Sequence, residues 1–338
     1  MSKTTIIAEA GVNHNGSIES AKKLVEIAAE SGADYVKFQT FKAETLVTKT
    51  ADKAEYQQNV TDNNESQFDM LKKLELDRKT HEELIDYCNA KDIQFLSTAF
   101  DHDSIELLAE LNIPLFKIPS SEITNLPYLR HIGGMDMPII MSTGMSTLDE
   151  VRDALNILLE AGAKKDKITI LHCNTEYPTP LEDVNLNVMA TLAEKFGINV
   201  GYSDHTLGIE VPIAAVAMGA TVIEKHFTLD KSLEGPDHMA SLSPLELSLM
   251  VKGIRNIEKA LGSSEKKTTM SEMKNRDIAR RSIHVKNDLK QGTVISSKDL
   301  VMKRPGNGIS PFEADKIIGK ILARDVIKDE ILKLTDLV

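Results

Sequence analysis

The chain has 338 residues, 41% hydrophobic and 27% charged, with a formal net charge of -11. That length holds one large core and a small second domain, and the acidic balance argues against a general nucleic-acid binder, which needs a basic surface. Two cysteines, Cys88 and Cys173, do not make a disulfide scaffold, no apolar run reaches membrane-spanning length, and the opening MSKTTIIAEAG lacks the pattern of a signal peptide, so a cytoplasmic protein without membrane partners is expected.

Eight short β-rich runs recur along the chain. They are TIIAEAG from Thr5, YVKFQT from Tyr35, IQFLSTAF from Ile93, LFKIPSSE from Leu115, PIIMSTG from Pro138, ITILHCN from Ile168, NVGYSDH from Asn199 and TVIEKHF from Thr221. The segments between them, such as SIESAKKLVEIAAESGA and TLDEVRDALNILLEAGA, carry apolar residues at helical spacing and end in a Gly-Ala pair whose glycine reads as a helix C-cap. Strands alternating with helices mean parallel β-α-β units, and eight of them predict an α/β fold, a (β/α)8 barrel over residues 1–262. A doubly wound open sheet is the alternative, but GVNHNG after the first strand is not a dinucleotide fingerprint. The stretch from Lys42 to Asp92 is unusually long and polar; its first part, KAETLVTKTADKAEYQQNVTDNNESQ, is weakly patterned and predicts a loop or lid over the barrel mouth, and its second part returns to helical spacing. Residues 263–280 read as a linker whose later part is helical. Residues 281–338, with Lys-Gln-Gly and Arg-Pro-Gly-Asn-Gly turns between short β-runs, predict a compact β-rich module that is small for an independent core.

A barrel of this kind gathers its chemistry at the C-terminal ends of the strands. Polar residues lie there: Glu9 on strand one, Lys37 and Gln39 on strand two, Ser97 and Thr98 on strand three, and Lys117, Ser120, Ser121 and Glu122 on strand four. Strand five ends in Ser142, strand six in Asn174, Thr175 and Tyr177, and strands seven and eight in Ser203-Asp204-His205 and Glu224-Lys225-His226. Lysine is almost never buried unpaired, so Lys37 in YVKFQ and Lys117 in LFKIP should face a polar cavity that holds an anion carrying phosphate and carboxylate. His205 and His226, at the ends of consecutive parallel strands, are candidate ligands of one divalent metal with positions left for water and substrate. Neutral imidazole suits Mn, Fe, Co or Zn, whereas Mg prefers oxygen. Asp204, Glu224 and Asp237 lie nearby in sequence. Cys173, inside the run LHCN, reads as a buried inert thiol.

The set AEAGVNHNG, VKFQTFKAE, FKIPSSE, STGMSTLDE, LHCNTEYPTP, GYSDHT, EKHFT, GPDH and KRPGNGISP resembles the sialic acid synthase family over essentially the whole chain. The resemblance implies a (β/α)8 barrel followed by an antifreeze-like (SAF) domain, and a domain-swapped homodimer in which that domain covers the partner's barrel mouth. It implies condensation of phosphoenolpyruvate with an N-acetylated mannosamine-type sugar, with a divalent metal, Mn2+ first and Mg2+ or Co2+ as alternatives, on His205 and His226. Phosphoenolpyruvate binding falls on Lys37, Lys117, Ser120, Ser142 and Ser203; Thr98 and either Asn174 or Thr175 are further substrate contacts. Sugar contacts fall on Gln39, Tyr177, Asp237 and the partner-borne Arg304, and Glu9 and Glu122 take the places of acidic residues near the reacting atoms. STAF stands where many members have STPF, and PSSE where some have GSGE. The expected product is N-acetylneuraminate from N-acetylmannosamine; the alternative is N,N'-diacetyllegionaminate from 2,4-diacetamido-2,4,6-trideoxymannose. A non-catalytic sugar- or ice-binding barrel would not need two lysines, two histidines and several acids converging at strand ends.

Overall fold

The structure, a computed structural model, describes residues 3–58, 61 and 65–338. The chain divides into two compact units, Met1–Gly262 and Ser263–Val338.

The first unit is a closed barrel of eight parallel strands in sequence order: β1 (Thr5–Gly11), β2 (Tyr35–Thr40), β3 (Gln94–Ala99), β4 (Phe116–Ile118), β5 (Ile139–Ser142), β6 (Ile168–Cys173), β7 (Asn199–Asp204) and β8 (Val222–His226). Helix α1 (Ile18–Glu30) follows β1; α2 (Ala43–Leu46), α3 (Glu55–Gln58), α4 (Gln67–Lys73) and α5 (Arg78–Ala90) follow β2. Then come α6 (His102–Glu110), α7 (Leu126–Gly133), α8 (Leu148–Glu160), α9 (Val188–Phe196), α10 (Glu210–Ala217) and α11 (Pro244–Leu261), one after each remaining strand. All eight β-rich runs are therefore barrel strands. The helices begin where the sequence supplies caps: Thr147 with Glu150 and Ser243 with Glu246 form reciprocal capping boxes at α8 and α11. Gly32 and Gly162, just past α1 and α8, take positive φ values of 81° and 120° that only glycine adopts freely.

Period-two alternation along each strand produces two opposed environments. Outward residues such as Ile6, Ala8, Val36, Phe38 and Ile223 join the helices in one large core. Inward residues Ile7, Leu96, Leu115, Ile140, Leu171 and Val222 form a separate apolar plug at the N-terminal end of the barrel. Gly201 completes that layer, because a Cβ there would lie 2.4 Å from the Val222 carbonyl and 2.7 Å from Leu171. Two residues further along each strand the side chains become polar, and this second layer is the floor of the functional cavity.

The stretch expected as a lid carries α2, α3 and α4, and residues 59, 60 and 62–64 of it lie outside the described residues. The second unit holds α12 (Met270–Ala279), β9 (Ser282–Val285), β10 (Leu300–Lys303) and α13 (Ala314–Ile317), with β9 and β10 antiparallel. Its β character is otherwise carried by isolated bridges, among them His284–Ile331, Leu289–Val326 and Val294–Ile321, around a small core that includes Ile283, Val285 and Leu322. Residues 263–280, expected as a linker, contribute α12 and group with this unit. No helix among the described residues is long and apolar enough to cross a membrane.

Candidate active site

The second inward layer reads Glu9, Lys37, Thr98, Lys117, Ser142, Cys173, Ser203 and Glu224, each two residues beyond the plug. These side chains floor a cavity of about 590 Å3 at the C-terminal end of the barrel. Both strand lysines are 3% exposed, so each needs a partner. Lys37 Nζ lies 2.7 Å from Glu9 Oε2 and donates to Thr98 Oγ1 at 2.8 Å. Lys117 Nζ donates to Ser142 Oγ at 2.7 Å. Glu224 stands between them, 3.7 Å from Lys37 Nζ and 3.4 Å from Lys117 Nζ, and accepts a hydrogen bond from Ser203 at 3.1 Å.

These four charges set one another's protonation. Burial raises the Glu9 carboxyl to about 7, against the pull of Lys37 and with added repulsion from Glu224. Burial opposes charge on Glu224 too, but Lys117 and Lys37 outweigh it and hold that carboxyl below its ordinary value. Burial also opposes charge on Lys37, where Glu224 and Glu9 prevail and raise it. For Lys117 burial wins, helped by repulsion from Lys37, and its value falls. The floor thus contains one firm carboxylate and one that exchanges its proton near neutrality, beneath two ammonium groups.

The third layer carries the histidines. His205 and His226 have ring centroids 5.5 Å apart, and Tyr177 stacks on His205 at 4.0 Å and meets His226 edge-on at 5.6 Å. His205 Nδ1 donates to the Asn174 carbonyl at 2.5 Å, which leaves Nε2 as the acceptor of the Tyr177 hydroxyl proton at 2.8 Å. Burial lowers His205 to about 4 and drives His226 well below its ordinary value. His226 Nδ1 is buried without a hydrogen-bond partner, 3.8 Å from Asp237 Oδ2, and burial raises that aspartate to about 6. Two neutral imidazoles, one with an orphaned nitrogen and one with its tautomer set by a backbone carbonyl, suit a divalent ion. Among the described residues no group of three or more His, Cys, Asp or Glu side chains closes around a metal position, so such an ion would keep places for water and substrate.

Ser120, Glu122, Thr175, Gln39 and Asp237 also line this cavity. Ser120 Oγ accepts from the Gly144 amide at 2.9 Å and lies 3.3 Å from Cys173 Sγ. Gly144 has no room for a side chain: a Cβ would sit 2.6 Å from Thr175 Cγ2 and 2.9 Å from Ser120 Oγ. Glu122 accepts from Asn125 at 2.6 Å and from Ser121 at 3.2 Å; a lysine is not among these partners.

Of the pair Asn174 and Thr175, Thr175 lines the cavity, and the Asn174 side chain accepts from the Glu176 amide at 2.7 Å. Asp204 turns to the outer face of the barrel, where it pairs with the buried Lys225, because residues one apart on a strand point to opposite sides. Cys173 is buried, as expected, and it also lines the cavity floor, since it follows the inward Leu171 by two. Arg304 is exposed on a turn of the second unit. Glu224 is a floor residue that strand-end proximity does not single out; the inward series Val222, Glu224, His226 follows from the period-two rule.

The NeuB family profile matches residues 24–266, and the SAF domain profile matches residues 280–338. The chain belongs to the NeuB family. It is 54% identical over 333 residues to the N,N'-diacetyllegionaminic acid synthase of Campylobacter jejuni, covering 98% of this chain and 100% of the relative. With the enzyme of that name from Legionella pneumophila it shares 52% over 323 residues, 95% of this chain and 91% of the relative. Among solved structures, the N-acetylneuraminic acid synthetase of Leptospira borgpetersenii is 32% identical and superposes with a TM-score of 0.71 over 81% of this chain and 90% of that one. This NeuB-family protein is therefore an enzyme of the sialic acid synthase group, with a TIM-like barrel and an SAF domain.

Proposed function

We propose that the enzyme condenses phosphoenolpyruvate with 2,4-diacetamido-2,4,6-trideoxymannose, as its open-chain aldehyde, to give N,N'-diacetyllegionaminate and phosphate. The 54% and 52% identities to enzymes of that name support this product over N-acetylneuraminate, the product first expected, whose synthetase in the structural comparison is 32% identical. The observation that carries the reaction class is the convergence of Lys37, Lys117, His205, His226, Glu9 and Glu122 on one cavity.

Lys37 and Lys117, with Ser120, Ser142 and Thr98, receive the phosphate and carboxylate of the enol ester. An arriving polyanion raises the Glu9 carboxyl further, so Glu9 takes up a proton and frees Lys37 for the substrate. Gln39, Tyr177 and Asp237 orient the sugar so that its aldehyde carbon meets C3 of the enol phosphate. The C3 electron pair forms the new carbon–carbon bond, the aldehyde oxygen gains a proton, and C2 becomes an oxocarbenium ion. Water adds to C2 and gives up one proton; the C2–O bond to phosphate then breaks, its electron pair leaves with phosphate, which takes up the proton of the new C2 hydroxyl, and the keto acid remains. Glu122, held by Asn125 and Ser121 beside Ser120, is the group assigned to proton transfer. A divalent ion, Mn2+ by first choice, held by His205 and His226 would supply Lewis-acid polarisation of the aldehyde. Arg304 is assigned to the sugar site of a partner subunit in a homodimer.

Phosphate release from full-length protein, with each sugar and with or without chelator, tests the reading. Release should be markedly faster with the diacetamido sugar than with N-acetylmannosamine, cease with chelator and return with Mn2+. Turnover of N-acetylmannosamine alone would overturn the product, and chelator-resistant turnover would overturn the metal assignment.

A further inference from the structure

The cavity has a second surface of opposite character. Above the charged floor, one side of the mouth is lined by Leu46 and Val47 at the end of α2, by Met70, Leu71 and Leu74 on and after α4, and by Phe100 after β3. All of these side chains except Val47 form an apolar cluster with Val12 and Phe41, and Phe41 meets Phe100 edge-on at 6.1 Å. Polar links behind them hold the surface in place. Glu75 Oε1 accepts from the Ala43 amide at 2.8 Å, and Asp101 Oδ2 accepts from the Lys42 amide at 3.1 Å and from Thr45 Oγ1 at 2.9 Å. The wall is therefore built before substrate arrives. Gln67 lines the same cavity beside it.

We infer that this wall selects the sugar by its C4 and C6 substituents, receiving the C6 methyl and the methyl end of the C4 acetamido group; the inference rests on the product proposed above. With the aldehyde end at the histidine and lysine layer, the far end of the open chain points to the mouth. N-acetylmannosamine presents a C4 hydroxyl and a C6 hydroxymethyl there, and against Leu, Val, Met and Phe both lose water without gaining a partner. The diacetamido trideoxy sugar offers methyl groups to the wall and one amide that Gln67 can pair. Apolar walls discriminate through single groups by roughly 10- to 200-fold in kcat/KM, which is enough to choose between these two sugars without changing the floor.

Leu71→Gln and Leu46→Gln test this. Each should lower the ratio of kcat/KM for the diacetamido sugar over N-acetylmannosamine about tenfold or more, while the KM for phosphoenolpyruvate stays near its wild-type value. Leu71→Met, which keeps the wall apolar, should keep the ratio. Melting curves identify any variant that fails to fold, and two positions on different helices guard against one such loss. If the wild type prefers the diacetamido sugar and both glutamine variants keep that preference, the wall inference falls while the product assignment stands. If the wild type shows no such preference, the product assignment itself falls.

Discussion

The floor and the wall of this cavity solve opposite problems. Four charged side chains share the floor, each 8% exposed or less, and every one bears the desolvation cost of burial, offset only by its neighbours and by the anion the site is read to hold. The wall is carbon packed on carbon, so its burial is favourable without any ligand. A charged floor is needed where substrate charge must be matched; an apolar wall suffices where shape and hydration decide. The two should respond differently to substitution.

Lys37→Met breaks the floor most severely. It leaves Glu9 and Glu224 facing each other without the ammonium group that lies 2.7 Å and 3.7 Å from them. Removing one member of a buried ion network costs about 3–5 kcal/mol, and denaturant unfolding at pH 8 should show a loss of that order. Adding Glu9→Gln should recover part of it, since the pair is coupled. Phosphoenolpyruvate KM should rise far more than turnover falls, because the lysine matches charge present in both ground and transition states. A Lys37→Met protein as stable as wild type would mean that the floor is not held by mutual pairing.

Glu9→Gln sharpens the same point through pH. The folded-state value of about 7 lies above the ordinary 4.5, so the folded chain holds this proton more tightly than the unfolded one. That contribution is complete below the ordinary value and is lost as pH rises through the folded value. Between pH 4.5 and about 7 wild type should therefore lose, relative to Glu9→Gln, on the order of 3 kcal/mol of stability. Parallel stability curves for the two proteins across that window would show that Glu9 titrates normally and is not the proton reservoir of the site.

The floor was legible in the sequence and the wall was not, for a physical reason. Parallel barrel strands are short, apolar and regularly spaced, so Lys37 and Lys117 stand out against them, and paired strand ends point to His205 and His226. The alternation of side chains along a strand also separates inward Glu224 from outward Asp204 and Lys225, which strand-end proximity alone groups together. Leu46, Met70 and Leu71 sit among lysines and glutamates on helices of 4 and 7 residues, too short to show a helical period. Their common face exists only once Phe100 and Val12 arrive from distant loops. Asn174 and Thr175 were indistinguishable for a related reason: the chain leaves strand geometry after Cys173, and alternation stops predicting direction.

The smallest expected effect sharpens the contrast from the wall's side. Lys72 on α4 lies 2.8 Å from Glu44 and 3.2 Å from Glu75, in an exposed bridge between α4 and α2. Such surface pairs contribute little, because solvent and salt screen them and two long side chains must be ordered to make them. If the wall is held by its apolar cluster and by the backbone links from Glu75 and Asp101, Lys72→Gln should leave both the melting temperature and the ratio of kcat/KM between the two sugars unchanged, at low and at high salt. A salt-dependent shift in that ratio would place control of the wall in the surface charges and erase the distinction from the floor. Insensitivity to Lys72 combined with sensitivity to Leu71, one residue along the same helix, would assign selection to the face of α4 that meets the cavity.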